Sequence, residues 1–188
     1  LSDNRWGFFP GISAGWNVHE EAFFKDSKFA EVVSLIKPRI SYGLNGNVNG
    51  IGNFDVYGKY GSVGAYNGNL GYLNTGVVNS KLRWEKSHTF ELGLDLGFFN
   101  NRVHMIMDYY NRTTSDLLTD VNLPEYTGFP SFKTNLGTIS NRGFELEAKV
   151  NLLTKKDWSW DVTANTSFVK NMVKKLPFNG NANNRQGG

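Results

Sequence analysis

Residues 84–118 keep a two-residue rhythm through two long arms and one tight reversal. The first arm reads His88-Thr-Phe-Glu-Leu-Gly-Leu-Asp-Leu-Gly-Phe98. It puts Phe90, Leu92, Leu94, Leu96 and Phe98 on one face and Glu91, Gly93, Asp95 and Gly97 on the other. Successive side chains of a strand point to opposite faces, so strict alternation reads as a β-strand with one apolar face. Asn100 and Asn101 follow, and asparagine tolerates the positive φ that a two-residue hairpin demands. In the second arm Val103, Met105, Met107 and Tyr109 oppose His104, Ile106, Asp108 and Tyr110.

The arms are long. Soluble strands run about 5–6 residues, whereas a membrane-spanning strand needs about 9–11. From Phe90 to Phe98 the chain covers about 26 Å, or about 20 Å of height at a tilt of about 40°, close to the apolar band of an outer-membrane barrel. A Lys or Arg facing lipid at mid-depth costs about 2–4 kcal/mol, and neither apolar column contains one. A long hairpin in a soluble sandwich alternates in the same way, so periodicity leaves both readings open.

Composition narrows the classes. Twenty basic against 17 acidic residues give +3 with no block of like charge, which offers nothing to nucleic acid. There is no cysteine, so disulfide scaffolds and thiolate metal sites are excluded. No apolar run reaches the length of a membrane helix, about 18 residues; a barrel crosses with alternating strands and needs none. The 21 glycines, 14 Phe, 8 Tyr and 5 Trp suit an all-β chain with many turns and aromatic girdles. With no signal peptide at the start and a polar Asn/Gly stretch at 179–188, the chain reads as an excerpt from a longer protein.

Taken in order, residues 5–19 read as a first strand, with Trp6, Phe8, Pro10, Ile12, Ala14, Trp16 and Val18 on one face. Pro10 lacks a ladder donor and predicts an irregularity there. Gly11-Ile-Ser-Ala-Gly15 is a formal G-x-S-x-G, but a nucleophile elbow needs strand, sharp turn and helix, and the alternation runs on to Trp16. Residues 20–35 read as a connector with a short helix that groups Phe29, Val32, Val33 and Ile36. Strands are expected at 36–45, 139–153 and 158–170, the last two joined by a short turn at 154–157.

Residues 46–81 and 114–135 read as long polar connections. Asn45-Gly-Asn-Val-Asn-Gly50 lacks the leading acids of a calcium loop, and Val56 stands where the bidentate Glu would be. Tyr57, Tyr60, Tyr66 and Tyr72 alternate with Gly and Asn; they are the candidate surface for stacking on and hydrogen-bonding to a ligand or partner, against ordinary loop packing. No catalytic, cofactor-binding or metal-binding residues are assigned. His19, His88 and His104 are scattered without paired-ligand spacing. The formal sequons at 111–113 and 165–167 fall on or beside strands. After the helical connector the connections run long, short, long, short, which is the parity of barrels with short periplasmic turns and long external loops.

Six segments, in order, resemble the barrel of SusC/RagA-like TonB-dependent outer-membrane transporters of Bacteroidetes. They are Phe9-Pro-Gly-Ile-Ser-Ala-Gly-Trp16, Lys37-Pro-Arg-Ile-Ser-Tyr-Gly43, Leu82-Arg-Trp-Glu-Lys86, Glu91-Leu-Gly-Leu-Asp-Leu-Gly-Phe-Phe-Asn-Asn-Arg102, Asp108-Tyr-Tyr-Asn111 with Asp116-Leu-Leu118, and Asn141-Arg-Gly-Phe-Glu-Leu-Glu147. The resemblance implies an all-β fold of antiparallel strands from a large transmembrane barrel of roughly 22 strands around a plug. Residues 1–188 would supply about six or seven of those strands, with plug and terminal strands lying elsewhere. It also implies a SusD-like lipoprotein lid, TonB acting through a segment absent here, and an oligosaccharide or peptide substrate; the scattered histidines, and carboxylates that belong to alternating polar faces, separately speak against an enzyme. On that reading Glu91, Asp95, Asp108, Glu145, Glu147 and Lys149 face the lumen. Two alternatives are a small porin-like barrel and a soluble all-β glycan-binding module, whose apolar columns would pack on a second sheet.

Overall fold

The computed structural model describes residues 6–52 and 55–176. Its main body is one six-stranded antiparallel sheet in the order β1-β2-β5-β6-β9-β10. The strands are β1 (Gly11–Gly15), β2 (Val33–Asn47), β5 (Glu85–Phe98), β6 (Val103–Ser115), β9 (Thr138–Lys155) and β10 (Trp158–Lys175). Two further hairpins, β3 (Lys59–Tyr66) with β4 (Asn69–Gly76) and β7 (Leu118–Asn122) with β8 (Ser131–Asn135), form sheets of their own. No helix among the described residues is long and apolar enough to cross a membrane.

Register turns the alternation of each strand into two continuous faces. Ala14, Ile40, Leu92, Tyr109, Phe144 and Phe168 stand in one lateral row across all six strands. The next row away from them holds Pro38, Leu94, Met107, Leu146 and Thr166. Nothing covers this face among the described residues: Ile12 is 74% and Phe168 73% exposed. Burying such a face is worth roughly 25 cal/mol per Å², so it calls for an apolar covering, either lipid or further protein. The opposite face carries Ser41, Glu91 and Tyr110 in one row and Arg39, Gly93, Asp108 and Glu145 in the next.

Two expectations change. The first strand spans only Gly11–Gly15, not 5–19. Pro10 can accept from the Leu44 N–H (2.9 Å) but has nothing to donate. Alternation breaks there, and the Phe9 ring lies over Gly46, edge-on to Trp84 with centroids 5.7 Å apart. Beyond Gly15 the chain enters a 3₁₀ turn at Val18–Glu20. The connector holds α1 (Ala22–Lys25) and a 3₁₀ turn at Lys28–Glu31, so Val33 and Ile36 belong to β2 rather than to a helix. The segment 179–188 lies outside the described residues.

The reversal after β5 keeps its asparagines at the corner. The Arg102 N–H donates to the Phe99 carbonyl (3.3 Å), and Asn100 and Asn101 between them have φ of 56° and 60°. That is the backbone a two-residue corner with right-handed strand twist needs. Ser34 ties the corner down: its Oγ accepts from the Asn101 N–H (2.9 Å) and donates to Asn101 Oδ1 (3.0 Å).

Candidate functional site: the polar face and the loop cluster

The strand connections sort by end. The turns at 99–102 and 156–157 and the helical connector leave from one end of the sheet; both hairpin-bearing connections leave from the other. Long strands that keep their register therefore place residues 48–84 and 116–137 side by side.

There the two connections are tied together. The Arg83 N–H donates to Asn135 Oδ1 (2.8 Å), and Asn135 Nδ2 donates to the Arg83 and Asp116 carbonyls (2.7 and 2.9 Å). The Arg83 guanidinium grips Asp116 with two bonds (3.1 and 2.8 Å), the planar fork–carboxylate pairing that gives geometric specificity as well as energy. That contact raises the Arg83 pKa further above its ordinary value. Glu85 accepts from the Leu118 N–H (3.0 Å), and Asn79 Nδ2 donates to the Lys133 carbonyl (2.9 Å).

A second knot centres on Asp55, from which Lys59 Nζ lies 2.7 Å and Lys133 Nζ 3.9 Å. Lys133 also donates to the Gly50 carbonyl (2.7 Å), and the Gly52 N–H donates to Asp55 (2.8 Å). Lys59 first, then the Gly52 N–H, hold the Asp55 carboxyl below its ordinary range. Val56 and Leu82, 3% and 1% exposed, are the buried apolar residues of the described chain, and both lie in this cluster.

The four tyrosines do not form one surface. Tyr60 pairs with Asn74 and Ser62 with Tyr72, so Tyr60 and Tyr72 are diagonal neighbours on one face of the β3–β4 hairpin. After the bulge at Val63, Tyr66 pairs with Asn69 and faces the other way. Tyr57 sits in the turn before β3. They are 58–88% exposed. The connection that carries them is itself a hairpin, and Asn67-Gly68, with φ of 47° and 78°, is its corner. Asn-Gly is a strong short-range hairpin signal and was present in the sequence.

On the polar face of the sheet, Arg39 reaches across β5. It donates to Asp95 (3.1 and 2.8 Å) and to Asp108 (3.0 Å), two strands away. Gly93 lies under that reach: a Cβ there would be 2.7 Å from Arg39 Cζ and 2.6 Å from Asp108 Oδ1. Ser41 donates to Glu91 (3.2 Å). Arg39, Ser41, Glu91, Gly93 and Asp108 line an open hollow of about 510 Å³ with Ser13 and Asn17. Ser13 sits mid-strand opposite Ser41, not at a strand-to-helix corner. Among the described residues no three His, Asp or Glu converge as a metal site would require.

This geometry has known counterparts. The model of the TonB dependent receptor-like β-barrel family matches residues 1–187. TonB-dependent receptor P3 of Formosa agariphila is 37% identical over 93% of this chain and 17% of its own length. TonB-dependent receptor SusC of Bacteroides thetaiotaomicron is 36% identical over 93% of this chain and 18% of its own length. Among solved structures, the RagAB peptide transporter superposes with a TM-score of 0.85 at 31% identity, covering 95% of this chain and 19% of that one. The chain thus spans less than a fifth of the length of these relatives. With the family model matching residues 1–187 and the six-stranded wall superposing over nearly the whole sequence, the chain belongs to the TonB-dependent receptor β-barrel family, among its SusC/RagA-like members.

Proposed function

We propose that these residues are a stretch of barrel wall in an outer-membrane transporter. It takes up oligosaccharides or peptides through TonB with a SusD-like lipoprotein as lid, and is not an enzyme. The single observation that carries this is the six-strand wall with one uncovered apolar face, one polar face and both long connections at one end. Lipid satisfies the first face, a water-filled or plugged lumen the second. A soluble glycan-binding module would need a second sheet over the apolar face. The two other sheets of the described chain are the loop hairpins.

On this reading the loop cluster faces the cell exterior, and the Tyr60–Tyr72 face of β3–β4 meets substrate or lid, with Tyr57 and Tyr66 flanking. The test is made in the full-length transporter with its lipoprotein co-expressed. Aromatic contacts are worth about 0.5–1.5 kcal/mol each beyond their buried area, so replacing Tyr60 and Tyr72 by Ala should weaken lipoprotein capture or substrate binding roughly tenfold. Unchanged capture and unchanged binding would remove the hairpin from the function. A protein recovered from the soluble fraction would remove the transporter.

A further inference from the structure

The apolar face ends abruptly on the side of the loops. Immediately beyond the row of Leu92, Tyr109, Phe144 and Phe168 comes the row of Phe90, Asn111, Arg142 and Lys170. Two rows further, Lys86, Ser115, Thr138 and Lys175 share the same face. The outward columns of the six strands contain no Asp or Glu. The polar face is unlike this: there Arg39, Arg112 and Lys149 are interspersed with Glu91, Asp95, Asp108, Glu145 and Glu147.

Arg142 and Lys170 are direct cross-strand partners, an arrangement that like charges disfavour. On its other side Arg142 faces Asn111, and along β9 its same-face neighbours are Ser140 and Phe144. Among the described residues neither cation has an ion pair or hydrogen bond, and both side chains are exposed. A Lys or Arg facing lipid costs little near the interface and about 2–4 kcal/mol at the midplane. The pair therefore marks the level at which hydrocarbon ends, one step past the aromatic row.

Resting on the outer-membrane reading above, we infer that Arg142 and Lys170, with Lys86 and Lys175 above them, bind the phosphate groups of a phosphorylated glycolipid in the outer leaflet. The charge complementarity is one-sided: cations without acids at headgroup depth, on the face turned to lipid. A guanidinium presents a planar fork that matches phosphate, and an ammonium adds a mobile point charge. The phosphate would relieve the repulsion between the two cations and hold a lipid against β9 and β10, beneath the loops.

The experiment uses the full-length transporter, incubated with phosphatidylcholine vesicles containing either phosphorylated or enzymatically dephosphorylated lipid A. It is then re-purified and its bound lipid counted by mass spectrometry. The wild type should retain several-fold more of the phosphorylated form. R142Q/K170Q should lose that preference and R142K/K170R should recover it, while K149Q on the opposite face should leave it unchanged. A membrane-embedded wild type that retains both lipids alike overturns this proposal alone, as does a preference that survives in R142Q/K170Q. A wild type found outside the membrane fraction overturns the transporter reading and this proposal with it.

Discussion

At the residue scale, Gly93 does more for the wall than its size suggests. Arg39 reaches Asp108 only because the intervening position lacks a side chain. Gly93→Ala should displace the guanidinium from Asp108. The cost should be about 1 kcal/mol, small because Arg39 and Asp108 are more than a third exposed and solvent screens them. Urea unfolding of the full-length barrel in lipid vesicles reads this, and a double-mutant cycle decides its origin. If Gly93→Ala costs as much in an Arg39→Gln background, the bridge is not the reason. Alternation in the sequence placed Gly93, Asp95 and Asp108 on the polar face, because side-chain direction follows from parity alone. The bridge was not legible, since it joins β2 to β6, and cross-strand register is set by long-range pairing rather than local pattern.

At the element scale, the strands that face two solvents could be read and the loop hairpins could not. β5, β6, β9 and β10 alternate apolar with polar, which is a written signal. β3 reads Lys-Tyr-Gly-Ser-Val-Gly-Ala-Tyr and β7 Leu-Thr-Asp-Val-Asn; neither separates an apolar from a polar face, so each reads as part of a polar connection. Isolated two-stranded hairpins are marginal in water, and side-chain-to-backbone bonds between the two connections add to the small apolar burial of Val56 and Leu82. Asn135→Ala removes two of those bonds and a third to the Asp116 carbonyl within its own connection, at about 1–3 kcal/mol in all. Amide exchange and protease cleavage should rise around residues 79–83 and 116–118 while the strands stay protected. Unchanged protection at both segments would show that the loops are held by something else. The Asp55 knot adds a pH dependence. Its folded carboxyl is depressed, so its contribution is complete above the unfolded value of about 3.9 and drains away as pH falls through the lower folded value. Protease sensitivity of residues 50–59 should therefore be flat near neutrality and rise in acid, and the Asp55→Asn protein should show no such rise.

At the scale of the whole molecule, the two faces make a labelling prediction that the sequence makes easy to test, since it holds no cysteine. In a full-length protein with any cysteine outside this stretch replaced, cysteines at Leu94, Met107 and Leu146 should resist a water-soluble maleimide in membranes. Those at Asp95, Ile106 and Glu147 should react with it. Ile106 is the informative position: it is apolar but sits between Asp95 and Glu147 on the polar face. Parity, not residue type, assigns it to water, and its protection alongside Met107 would contradict the register.

The placement of Val56 and Leu82 reverses the usual map of mutational tolerance. In a soluble domain the strands enclose a jigsaw and the loops are forgiving. Here the strand side chains on one face lean on acyl chains, a fluid that adapts to any apolar shape. Exchanging Leu94 for Ile, Val or Phe should be nearly silent. The demand for exact volume falls instead on a few loop residues around Leu82. Variation among natural sequences of this stretch should therefore be conservative in chemistry but free in shape along the wall, and strict in shape only where the chain leaves it.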